Sequence, residues 1–178
     1  RRVLFRSDPC FVEEPCLPDG SAVHLRDLQE LHLSQRIPLA CGERLLTKRQ
    51  FADHLFPAPV AAVLQPDLSL VGGIRAGVEI GAMCEAAQAA LAPHCPLGPL
   101  TLAASLHVDA VNHNAFIQEQ SMGIHYNRDN DVLDYLVDKN ALAIEDGYCA
   151  IPQGPGLGVE IDEDFVEERS KAGHRWRN

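Results

Sequence analysis

A barrel of repeating strand–helix units, in the α/β class, is the fold that three observations on this sequence predict. Five short apolar runs, 10–13 (CFVE), 37–43 (IPLACGE), 61–67 (AAVLQPD), 90–94 (ALAPH) and 115–119 (AFIQE), each end on a polar residue. Those end residues, Glu13, Glu43, Asp67, His94 and Glu119, recur at intervals of 24 to 30 residues, the length of one strand with its crossover helix. The stretches between them carry helical signals, and strands alternating with helices argue for a parallel sheet. A barrel of such units carries its chemistry at the C-terminal ends of its strands. The pattern therefore predicts four carboxylates and one imidazole around a single mouth, which suits a divalent-metal site with a base beside it.

Taken in order, the first seven residues, RRVLFRS, resemble translated adapter sequence, and positions 1–8 are set aside as a foreign leader. The strand at Cys10 follows with nothing before it to pair, so the chain is expected to be the C-terminal part of a longer protein. Leucines at 25, 28, 31 and 33 mark roughly one face of a helix. Thr47 is placed to cap a helix over 48–55. Gly72 and Gly73 turn the chain into a helix over 74–89, with Ile74, Val78, Gly81 and Cys84 on one side and Arg75 and Glu79 on another. Pro99 suits the start of a helix running to about Val111. An open Rossmann-like sheet would show a glycine-rich turn after its first strand; here Glu14 and Pro15 follow Glu13. The partial barrel is expected over 9–121, with a C-terminal tail over 122–178. In the tail, 132–137 (VLDYLV) reads as a short helix, 147–159 as a loop with edge strands, and Asp162 as the cap of a last helix from Glu163 to about Lys171.

A chain of 178 residues with 46% apolar content fits one domain with a packed core. Its net charge of −10 argues against a nucleic-acid partner, whose phosphates it would repel. No run of about 18 apolar residues predicts a membrane span, and no signal peptide is visible, so a cytoplasmic location is expected. The six cysteines form no CxxC pair, which argues against a zinc knuckle and for reduced thiols in a cytosolic protein.

Glu13 and Glu43 are the metal-ligand candidates, because Mg²⁺ prefers carboxylate oxygen and keeps positions open for substrate. His94 is the candidate for proton transfer, since imidazole titrates near neutrality. Asp67, one strand earlier, is placed to accept a hydrogen bond from His94 and fix its tautomer. Glu119 could stabilise charge developing on a substrate oxygen, and to donate it would have to be protonated, which a crowded acidic site favours. Taken singly, a Glu that ends a strand is more often a solvated rim residue, and two on successive strands shift the balance toward a ligand pair. His94 alone could merely fill the loop between Pro93 and Cys95, and Glu119 alone could be a rim carboxylate. The remaining histidines read as surface or packing residues, with His125 near enough to the last strand to approach the mouth. The glycine pair at 72–73 lacks the spacing of a phosphate cradle.

Residues 11–15 (FVEEP), 42–45 (GERL), 64–69 (LQPDLS), 92–99 (APHCPLGP), 118–127 (QEQSMGIHYN) and 155–163 (PGLGVEIDE) together resemble the mandelate racemase group of the enolase superfamily. The fourth and fifth of these stretches are similar to its galactonate dehydratases. The resemblance implies a modified (β/α)₈ barrel, of which this chain holds strands four to eight. It implies Mg²⁺ on Glu13 and Glu43, His94 as general base with Asp67 raising its basicity, and Glu119 stabilising the intermediate. The superfamily pairs a Lys or His base with Mg²⁺. The implied reaction is dehydration of a small acid sugar by C2 proton abstraction and loss of the 3-hydroxyl. Members are often homo-oligomers. On this reading the third metal ligand, an Asp, the His that assists hydroxide departure and the specificity cap lie outside the chain, and the chain alone is expected to be inactive. A dehydratase or racemase for another acid sugar, such as gluconate, and a non-catalytic barrel are the alternatives.

Overall fold

A computed structural model describes residues 9–16, 22–30, 37–96, 98–121 and 135–171. Strands β1 (Val12–Glu13), β2 (Leu39–Cys41), β3 (Val63–Leu64) and β4 (Ala90–Leu91) form one parallel sheet in the order β1-β2-β3-β4. Each strand pairs with its sequence neighbour, Val12 against Leu39, Ala40 against Val63 and Val63 against Ala90. Neighbour-to-neighbour order without a reversal is that of a barrel wall.

Helices fill the crossovers: α1 (Val23–Glu30), α2 (Lys48–Leu55), the single turn α3 (Leu68–Val71), α4 (Gly73–Ala86) and α5 (Pro99–Asp109). Local chemistry sets their ends. Thr47 and Gln50 form a capping box at α2, the Thr47 side chain accepting from Gln50 N and the Gln50 side chain from Thr47 N. Gly72, at φ 105°, both ends α3 and starts α4, a conformation that favours glycine. Pro99 opens α5 in its first turn. The turn α3 was not expected from the sequence, and Asp67 caps it.

Side chains alternate across the sheet. Leu39, Cys41, Leu64 and Leu91 join Phe51 and Leu55 of α2, Ile80 and Cys84 of α4 and Val108 of α5 in the main core between sheet and helices. On the opposite face Ala40, Val63 and Ala92 pack with Phe11 and Ala90. Helix α4 approaches its neighbours through glycines. A Cβ at Gly77 would lie 2.5 Å from Leu68 Cδ2, and one at Gly81 would lie 2.2 Å from Asn112 Oδ1. At the end of α5, Asp109 has one carboxylate oxygen buried without a hydrogen-bond partner, and burial pushes its carboxyl up to about 7.

The fifth apolar run departs from expectation. Over 115–119 the structure keeps one parallel bridge, Leu91 to Ala115, rather than a strand. Leu91 N–H donates to Asn114 O at 2.9 Å and Phe116 N–H to Leu91 O at 2.8 Å. The next rung needs an N–H at position 93, and proline has none. Polar side chains replace the ladder. Gln118 Nε2 donates to Pro93 O at 3.0 Å, Cys95 N–H to Glu119 Oε2 at 2.9 Å, and Ser121 Oγ to Pro96 O at 2.7 Å.

The tail packs on α5. Leu136 and Leu142 are buried with Cys95, Leu102, Ala103 and Leu106, and His107 Nε2 donates to Leu157 O at 3.1 Å. The helix expected over 132–137 is corrected at its described end: Leu136 bridges antiparallel to Ile161. There, Val137 N–H donates to Glu160 O at 3.0 Å and Asp162 N–H to Tyr135 O at 2.8 Å. The expected loop over 147–159 begins inside a hairpin of β5 (Ile144–Glu145) and β6 (Tyr148–Cys149). The last helix, α6 (Glu163–Lys171), starts as expected, with Asp162 Oδ1 accepting from Phe165 N–H at 2.9 Å. The leader at 1–8, and 31–33 of the first expected helix, lie outside the described residues. Among the described residues no helix is long and apolar enough to cross a membrane.

Candidate active site

The five end residues converge at one end of the sheet, as the strand register requires. His94 stands at the centre. Its loop extends the β3–β4 pairing, with Ala92 N–H donating to Leu64 O at 2.9 Å, His94 N–H to Pro66 O at 3.2 Å, and a bridge between Asp67 and His94. The imidazole Nδ1 lies 3.0 Å from Asp67 Oδ2, and Nε2 lies 3.4 Å from Glu43 Oε2 and 3.9 Å from Glu119 Oε2. Asp67 is 1% exposed.

Electrostatics settle the hydrogen in the Asp67–His94 contact. Burial works to raise the Asp67 carboxyl, but hydrogen bonds from His94 and Ser69 outweigh it and hold it below its ordinary 3.8. An ionised carboxylate only accepts, so Nδ1–H is the donor and the neutral ring keeps its lone pair on Nε2. Burial alone would lower the His94 pKa. The bond to Asp67 and the charges of Glu119 and Glu43 outweigh it, and the net direction is upward from 6.5.

Glu13 ends β1 with its carboxyl raised above 4.5, by burial first and then by the charges of Glu119 and Glu43, while a hydrogen bond from the Gln65 side chain opposes the shift. Glu43 follows Gly42, where φ is 131° and an added Cβ would sit 3.0 Å from Gln65 N. That close approach to β3 requires glycine.

Four further residues escaped the sequence reading. Glu14 turns back at φ 36°, accepts from Gly42 N–H at 3.5 Å and lies 3.4 Å from Arg44 Nε. Arg44 Nε also donates to Glu43 at 3.2 Å. Strand alternation sends Glu14 to the helix side, so nothing in the pattern announced its place. Gln65 is 5% exposed with Oε1 unpartnered; its position two residues before Asp67, on the same strand face, was a usable signal. Ser69 bonds to Asp67, and a D-x-S sequence marks such a cap. His125 lies outside the described residues.

The donor set suits a hard cation. Glu13 and Glu43 offer carboxylate oxygen; burial first, and then the charges of Glu119 and Glu43, raise Glu13, and a cation would relieve that repulsion. Among the described residues no group of three or more His, Cys, Asp or Glu is arranged to hold a metal. Mg²⁺ is commonly bound by one or two carboxylates, with substrate oxygens and water completing its shell, so two ligands from this chain fit that ion.

Comparison with known proteins supplies the family. Residues 2–165 match the model of the Enolase C-terminal domain-like family. A D-galactonate dehydratase from Ralstonia pickettii is 51% identical over 96% of this chain and 43% of its own length. One from Ralstonia nicotianae is 49% identical over 99% of this chain and 45% of its own length. The chain thus spans less than half the length of these curated relatives. A mandelate racemase/muconate lactonizing enzyme from Sulfitobacter sp. superposes with a TM-score of 0.77 at 33% identity, covering 93% of this chain and 38% of its own. The enzyme of the same description from Jannaschia sp. CCS1 gives 0.77 at 29% identity, covering 99% and 41%.

Proposed function

The chain belongs to the Enolase C-terminal domain-like family, and on that premise we propose that it supplies the base-bearing half of a Mg²⁺-dependent acid-sugar dehydratase. The substrate is D-galactonate, the product 2-dehydro-3-deoxy-D-galactonate. The relatives named D-galactonate dehydratase support the substrate. One observation carries the chemistry: His94 presents Nδ1 to the buried Asp67 at 3.0 Å and Nε2 to the mouth carboxylates.

His94 Nε2 takes the proton from C2, the carbon next to the substrate carboxylate. Asp67 holds the ring in the required tautomer and stabilises the imidazolium that forms. Glu119, across the mouth, stabilises the charge that develops on the substrate oxygen. Its Oε2 accepts from Cys95 N–H, which ties the carboxyl to the His94 loop. The enediolate collapses with cleavage of the C3–O bond, a general acid protonates the departing hydroxide to water, and the enol tautomerises to the 2-keto acid. Glu13 and Glu43 would hold Mg²⁺, which as a Lewis acid neutralises charge on the substrate carboxylate.

The test is kinetic. Given Mg²⁺ and D-galactonate, the protein that carries this chain is expected to release a 2-keto acid, and its H94N variant is not. Undiminished turnover by H94N, or turnover confined to another acid sugar in a panel that includes gluconate, would overturn the reading.

A further inference from the structure

We propose that Ser69 is a positioning residue for the Asp67–His94 pair, holding the Asp67 carboxylate in the orientation that leaves Oδ2 free for the imidazole. The inference rests on the reading of that pair as the base. The two oxygens of Asp67 do separate work. Oδ1 accepts from Ser69 N–H at 2.8 Å and from Ser69 Oγ–H at 2.5 Å, while Oδ2 lies 3.0 Å from His94 Nδ1.

The terminal torsion of an aspartate is broad and two-fold, so the side chain alone does not choose its plane. The Ser69 backbone N–H tethers Oδ1 at one point. The hydroxyl adds a second, shorter, charge-assisted bond that fixes the plane and aims Oδ2 at the ring. With Oδ2 aimed, Nδ1 carries the hydrogen, and the lone pair of Nε2 faces Glu43 and Glu119. No bond of Ser69 reaches His94; it acts on the ring through Asp67.

The geometry separates three variants. Ser69→Ala keeps the backbone tether and loses the hydroxyl. Ser69→Thr keeps both. Asp67→Asn must turn its amide oxygen toward the Ser69 donors, which leaves its NH₂ facing Nδ1 and forces the other tautomer.

The experiment is nitrogen NMR of the protein that carries this chain, with ¹⁵N-labelled histidine, at a pH where the imidazole is neutral, with the His94 signals assigned by their loss in H94Q. The wild type and S69T are expected to show one tautomer with Nδ1 protonated. In S69A the two ring-nitrogen shifts are expected to converge as the second tautomer enters, and the Nδ1 hydrogen to exchange with solvent about tenfold faster, the factor expected for loss of one hydrogen bond. Rescue by S69T separates positioning from damage to the fold. S69A signals identical to the wild type, beside an altered D67N, would overturn the role of Ser69 and leave the Asp67–His94 pair standing. A D67N spectrum identical to the wild type would overturn the pair itself and Ser69 with it.

Discussion

Replacing Asp109 by asparagine is expected to stabilise the chain, and more so as pH rises. Asp109 ends α5, where a carboxylate also faces the negative end of the helix. Its Oδ1 is buried with no partner, and its carboxyl stands at about 7 against an ordinary 3.8. Between those values the folded chain holds a proton that the unfolded chain has released. Stability therefore falls as pH climbs from about 4 to about 7 and stays reduced above. At 1.36 kcal/mol per pKa unit the gap is worth about 4 kcal/mol. That is an upper bound, because water reaching an ionised carboxylate lowers its cost. Asparagine is neutral throughout. In urea unfolding, D109N should match the wild type within about 1 kcal/mol near pH 4 and exceed it by about 2–4 kcal/mol near pH 8.5, read as a higher midpoint at unchanged slope. An equal midpoint difference at both pH values, or a loss at the higher one, would refute the reasoning.

Two further outcomes follow from the packing and from the site. Gly81→Ala places a Cβ 2.2 Å from Asn112 Oδ1, which displaces a side chain whose Nδ2 donates to Val108 O at 2.8 Å. Overpacking outweighs the helix-propensity gain of about 1 kcal/mol, and a net loss of about 1–2 kcal/mol is expected; the double variant G81A/N112A should recover part of it, and strict additivity in denaturant unfolding would count against the clash. If Glu13 holds Mg²⁺ as proposed, protons compete with the ion for its carboxyl, which is raised above 4.5, so the rise in melting temperature with added Mg²⁺ should grow as pH increases through that titration and shrink in E13Q; a pH-independent rise would contradict a role for Glu13 in holding the ion.

The sequence made the strand ends legible because the chain spaces them by one strand–helix unit and marks each with a polar residue after an apolar run. Helix caps were legible for the same local reason, as at Thr47 and Asp162. What escaped depended on backbone turns and on contacts distant in sequence. Glu14 enters the cluster through a positive φ that no periodicity encodes. The turn α3 is too short to show a period, and its cap, Asp67, was already read in another role. The run at 115–119 has the composition of a strand, but its pairing depends on a neighbour's missing N–H, which is visible only once Pro93 is known to face it. The expected helix at 132–137 gave way at Leu136 to pairing with Ile161, a partner 25 positions downstream.

The prolines beside His94 have one more consequence. A main-chain ladder is indifferent to side-chain identity, so point mutation barely moves it. Where Gln118, Glu119 and Ser121 reach across to the His94 loop, each tie belongs to a single codon. The spacing between the imidazole and the acid opposite it can therefore drift or be selected one residue at a time, while the barrel wall below stays as it is. Libraries that test the proposed acid-sugar reading have an adjustable seam there, next to the candidate site.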